Sequence, residues 1–164
     1  MREDLAEETA ALADLTRPEH LLIWALRAIA VGNGDCPLVA RTFDKACGRL
    51  GGQAMHAYFA LVKYIGMTGR RRLRVHTPGC PCVSVDETAI VGVVAAAQSD
   101  APDGGESLLK MRLRFLVEGE PHEAFLSAAR AVAQAFKVAG LKLPLRLMAD
   151  AQVASTPARL RVVH

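Results

Sequence analysis

A chain of 164 residues, 51% hydrophobic and 23% charged, is long enough and apolar enough for one packed core, which excludes intrinsic disorder by composition. Aromatics make up only 5%, and Ala, Leu and Val carry much of the apolar content, a balance that favours helices over sheet. The net charge of +3 is unevenly spread: the first twenty residues hold six acids against Arg2 and Arg17, leaving about +7 on the remainder, enough to tolerate an anionic partner and too little to demand one.

The acidic start lacks the basic-then-apolar pattern of a secretory signal. The longest strongly apolar stretch, Thr88 to Ser99, falls well short of the roughly 20 residues that span a bilayer. The expected location is therefore the cytoplasm, without membrane association, and the four cysteines are expected as reduced thiols or metal ligands rather than structural disulfides.

In chain order, residues 1–16 read as an acidic arm, either a frayed helix or a segment folded over the body. Thr16, Pro18 and Glu19 signal a helix start, and Leu22, Ala25, Leu26 and Ile29 follow helical spacing, interrupted only by Arg27. Gly32-Asn33-Gly34 ends that helix. Asp35 is the expected N-cap of a second, with Pro37 in its first turn and Leu38, Val39, Thr42, Phe43, Ala46 and Leu50 inward. Gly51-Gly52 reads as its break, and a third helix is expected over 53–67. After Gly69 comes a linker, Arg70 to Cys82, expected as a turn. Ser84 and Glu87 form a capping-box pattern opening a fourth helix, which carries no charge from Thr88 until Asp100 and so belongs at the centre of a bundle.

Residues 107–117 alternate like a strand at Met111–Phe115 but carry a helical face through Leu108, Leu109, Arg112, Phe115 and Leu116. With no clear strand partner, the reading is helix. Pro121-His122-Glu123 opens the last long helix, which Gly140 stops, and residues beyond it look irregular. The fold expected is all-α: an irregular bundle of about six helices around a hydrophobic helix near 85–98. An acidic arm (1–16), a helical domain (17–143) and an irregular tail (144–164) divide it, and no internal repeat is evident.

The linker carries most of the chemistry. His76, Cys80 and Cys82 lie close together in a turn made by Pro78, Gly79 and Pro81, and thiolate and imidazole are preferred zinc ligands. One residue between cysteines is fewer than structural zinc sites use, Pro81 restricts the angle between the two side chains, and a fourth ligand would come from Cys36, Cys47 or water. The alternatives are thiol redox chemistry, or cysteines that only pack. Cys36, at a helix start, also suits a nucleophile. However, no base is assignable among His20, His56, His76, His122 and His164, and Asp14, Asp44 and Glu87 show no acid–base pairing. A non-enzymatic protein is expected.

Arg70, Arg71, Arg72 and Arg74 place four cations in five residues, suited to phosphate, nucleic acid or an acidic protein face; the alternative is internal pairing with the acidic arm. The third helix is too apolar to serve as a recognition helix, and no Gly-rich phosphate loop occurs.

Several segments together, Arg17-Pro18-Glu19-His20-Leu21-Leu22, Cys36-Pro37-Leu38, Ala46-Cys47-Gly48, Gly69-Arg70-Arg71-Arg72-Leu73, Pro78-Gly79-Cys80, Asp86-Glu87 and Ala95-Ala96-Ala97-Gln98, resemble small hypothetical proteins of alphaproteobacteria. The resemblance runs from about residue 17 to Leu145. It implies a compact, mainly helical cytoplasmic protein of bacterial origin and carries no catalytic residues. The function expected is that of a regulatory or adaptor protein contacting a protein partner through residues 69–83. Zinc binding or redox sensing by His76, Cys80, Cys82 and Cys36, and nucleic-acid binding by the four arginines, stand as alternatives.

Overall fold

The computed structural model describes residues 8–102, 105–146 and 160–163, and the remainder of the acidic arm and of the C-terminal tail lies outside the described residues. Strand β1 (Glu8–Ala11) and a short 3-10 turn (Leu12–Asp14) lead into helix α1 (Arg17–Ala30); α2 (Pro37–Cys47), a second 3-10 turn (Gly48–Leu50) and α3 (Gly51–Thr68) follow. Then come β2 (Leu73–His76), β3 (Cys82–Ser84), α4 (Val85–Ala97), α5 (Glu106–Leu116), α6 (Glu123–Val138) and β4 (Leu160–Val163).

The molecule is mostly helical but not all-α. β1 pairs antiparallel with β3, and β4 pairs parallel with β2. The linker expected as a turn therefore holds two strands, whose partners come from segments expected as arm and tail. In the β2–β4 register Leu73, Arg74 and Val75 face Leu160, Arg161 and Val162, so the strand joins a second copy of its own Leu-Arg-Val.

Helix α4 is the centre of the bundle, as its uncharged sequence requires: every residue from Ala89 to Ala96 is buried. It packs on α5, α6 and α1, while α3 lies along α6 and α2. Phe43, Tyr58 and Phe136 bring three helices together, and the buried Tyr58 hydroxyl donates to the Leu22 carbonyl at 2.9 Å, tying α3 to α1.

Two helix boundaries differ from expectation for local reasons. α2 is capped at its start by Cys36 rather than Asp35, and it ends at Gly48, whose φ of +58° only glycine adopts readily. Gly51 does not break the chain; it is the first residue of α3. A Cβ there would lie 2.6 Å from the Phe43 carbonyl oxygen and the Asp44 Cα, so glycine is needed for α2 and α3 to meet. Residues 106–116 form the expected helix, and Leu38, expected inward, is 56% exposed.

Candidate functional site: a clasped surface turn

Arg27 was visible in the sequence as the lone charge on an apolar helix face, and the fold buries it to 2% exposure against a fully buried Glu87. Its guanidinium donates twice to that carboxylate, Nε to Oε1 at 2.7 Å and Nη2 to Oε2 at 3.1 Å. Two further donors go to the linker: Nη1 to the Cys80 carbonyl at 2.7 Å and Nη2 to the Cys82 carbonyl at 2.6 Å. Glu87 completes its shell with the backbone amides of His76 (3.1 Å) and Ser84 (2.9 Å). One buried ion pair thus holds both strands flanking the turn at their backbone.

The turn itself is a type II β-turn. The Cys80 amide donates to the Thr77 carbonyl at 3.2 Å, Pro78 occupies the second position, and Gly79 the third with φ +88°. The Pro81 carbonyl accepts from the Leu12 amide at 2.7 Å, which anchors the turn to the N-terminal segment as well. Ser84 and Glu87 form the expected capping box at α4, and the Ser84 hydroxyl also donates to the Arg74 carbonyl at 2.5 Å.

The four arginines have separate roles. The Arg70 amide and Nε donate to the carbonyls of Leu116 and Val117, joining the end of α3 to the end of α5. Both Nη atoms of Arg71 donate to Asp86, which also accepts the Arg74 amide at 2.6 Å. Asp86, in the first turn of α4, thus pairs with Arg71, while most of the acidic arm that the sequence offered as a partner lies outside the described residues. Arg70 and Arg72 are exposed, as are Pro78, Gly79 and Pro81.

The cysteines are also dispersed in role. Cys47 is buried, which pushes its thiol up, while Cys36 is exposed and Cys80 and Cys82 are half-buried. Among the described residues no three His, Cys, Asp or Glu side chains come together as a metal-holding group, so His76, Cys80, Cys82 and Cys36 do not form one. The His76 ring is nearly buried, and its Nε2 has no hydrogen-bond partner.

A second polar cluster links the C-terminal segment to α1. Arg146 donates to Glu19 through Nε at 2.6 Å and Nη2 at 3.0 Å, and its carbonyl accepts from Arg112 Nη2 at 2.7 Å. Arg112 is buried, with an unpartnered Nε, and Gly92 leaves the room its guanidinium occupies. The pocket beside it, between Leu15, Glu19, Ile23 and Pro144, encloses about 10 Å³, no more than one water needs. That is far below the several hundred cubic ångströms of a typical substrate pocket.

No helix among the described residues is long and apolar enough to cross a membrane. No family model, curated protein or solved structure matches the chain.

Proposed function

We propose that the protein is a non-enzymatic adaptor or regulator whose recognition element is the turn 77–82 with the exposed Arg70 and Arg72. The observation that carries this reading is the use of the Arg27–Glu87 pair. A buried ion pair adds little stability over apolar side chains of the same volume. What this one supplies is shape: it fixes two carbonyls and two amides of a surface segment. A segment already held in one conformation loses less entropy on binding, and loops on rigid scaffolds are where recognition residues concentrate. Membership in the alphaproteobacterial family belongs to the same proposal and names no partner.

The test is a comparative cross-linking capture using the wild type and an Arg70→Ala/Arg72→Ala variant. These two side chains are exposed; the substitutions spare both Arg71–Asp86 and the buried pair and remove one internal hydrogen bond, from Arg70 Nε to the Val117 carbonyl. Proteins captured by the wild type should be lost from the variant while its helical circular dichroism is unchanged. The same proteins on both would refute the reading. Salt-dependent binding of DNA or RNA, lost in the variant, would put the nucleic-acid alternative in its place.

A further inference from the structure

The chain from Leu141 to Arg146 lies on the helical body as an irregular strap, held largely by its backbone. Gln98, the residue that ends α4, uses both atoms of its side-chain amide: Nε2 donates to the Leu141 carbonyl and Oε1 accepts from the Leu143 amide, each at 2.8 Å. The Leu143 side chain is buried, Glu19 accepts from the Arg146 guanidinium, and Arg112 Nη2 donates to the Arg146 carbonyl at 2.7 Å. Gln98 and Arg112 thus grip main-chain atoms, which any peptide laid along the same path would offer.

At Arg112 the fit is incomplete. A guanidinium carries Nε and Nη2 side by side, spaced to meet the two oxygens of one carboxylate. Arg27 with Glu87, Arg114 with Glu120 and Arg146 with Glu19 all use that pair in this way. Arg112 offers the same fork, 6% exposed, yet its Nη2 meets a neutral carbonyl and its buried Nε meets nothing. A buried donor without an acceptor is costly, and a buried cation without a counter-charge is more so. The strap supplies one oxygen where the fork takes two. A peptide ending at the position of Arg146 supplies both, because its terminal carboxylate carries a second oxygen in place of the next residue's amide, together with a negative charge.

We propose that the groove under the strap, with Arg112 at its end, is a docking site for the carboxyl terminus of a peptide. The last residue of that peptide is basic, to meet Glu19, and an apolar residue stands three positions before it; residues 141–146 occupy the groove as an internal stand-in. The site shares no residue with the turn 77–82 or with Arg70 and Arg72, so it stands apart from the adaptor reading. A tethered strap is present at about millimolar effective concentration, so a free peptide must displace a built-in competitor.

The experiment uses the strap's own sequence, Leu-Lys-Leu-Pro-Leu-Arg, labelled at its N-terminus and made both as the free acid and as the C-terminal amide. Fluorescence anisotropy follows its binding to the full chain as wild type, Arg146→Ala and Arg112→Gln/Arg146→Ala. Arg146→Ala frees the strap from Glu19 and leaves Gln98, Glu19 and Arg112 in place. It should bind the acid more tightly than the wild type does, and roughly tenfold or more tighter than the amide. In the double variant the advantage of the acid should vanish while amide binding persists, which also reports an intact groove. The proposal is overturned if Arg146→Ala binds neither peptide or binds both equally, or if the double variant still prefers the acid. Acetate displacing the peptide at equal concentration overturns it as well, since the groove would then read a carboxylate without a chain. The comparison of acid and amide on Arg146→Ala needs no change at Arg112 and decides alone if the double variant does not fold.

Discussion

Glu19 lies almost wholly buried in the first turn of α1, and burial by itself pushes a carboxyl up. The Arg146 guanidinium, together with the amide and hydroxyl of Thr16, outweighs that effect and holds the group below its ordinary value of 4.5. A carboxyl depressed on folding contributes stability above its unfolded pKa, and the contribution is lost as pH falls through the folded one. In Arg146→Ala the burial remains and the main opposing cation is gone. Arg146→Ala should therefore be less stable than the wild type near neutrality, and the difference should shrink as pH falls through the carboxylate range, because the Glu19 contribution lost on acidification is already missing, while the Thr16 contacts at the start of α1 persist. Urea unfolding midpoints measured from neutrality down to about pH 3 check this; superimposable wild-type and Arg146→Ala curves would show that the pair has no such effect. Arg112, close by, is a buried cation with no carboxylate partner among the described residues, and burial alone depresses its pKa.

At the scale of elements, the Arg27–Glu87 pair joins α1, α4 and the turn between β2 and β3. Arg27→Ala leaves a buried carboxylate facing two backbone amides and no cation, which should cost roughly 3–5 kcal/mol. Arg27→Met/Glu87→Leu removes both charges and should recover most of that loss in chemical denaturation. Hydrogen exchange separates stability from shape. In the double variant the amides of His76 and Cys80 should exchange faster than in the wild type, although global stability is nearly restored. Unchanged exchange there would mean that the turn holds itself.

The same elements show what the sequence makes legible. α4 is readable end to end because its signals are local: Ser84 and Glu87 three apart, then an uncharged run. The role of Glu87 is not readable, because its partner Arg27 lies sixty residues away and nothing local marks the pairing. Arg27 as a lone charge on an apolar face is the one available hint. Strands β2 and β3 escape notice for a similar reason. They are four and three residues long, and their hydrogen-bond partners lie in the outlying β4 and β1. Gly51 misleads in a different way, since a glycine required for close helix packing looks the same in sequence as one that ends a helix.

For the whole molecule, the core and its order of helices follow from periodicity, whereas the site depends on contacts that close only when distant segments meet. The Arg70–Arg74 cluster illustrates the difference. Four cations in five residues look like one basic surface, yet the fold gives Arg71 to Asp86 and aims Arg70 Nε at a carbonyl of the α5 terminus. Charge read along the chain overstates the charge available to a partner.

The parallel pairing of β2 with β4 also has a consequence in time. β4 follows all six helices, so during synthesis it emerges roughly 90 residues after β2, a delay of about 5–20 s at ordinary elongation rates. Throughout that interval the helices can pack while one edge of β2 presents unpaired amides and carbonyls beside the basic linker. A nascent chain of this protein passes through a state in which its helical body exists and the backbone around the turn is still open to other extended chains. Chains truncated before Leu160 hold that state permanently. Trypsin should cleave them at Arg72 and Arg74 faster than the full chain, with the α-helical signal retained, and equal cleavage rates would show that β4 protects nothing. Strand β4 would then act as a timing element, closing the edge of β2 to stray pairing only once the six helices that precede it have been made.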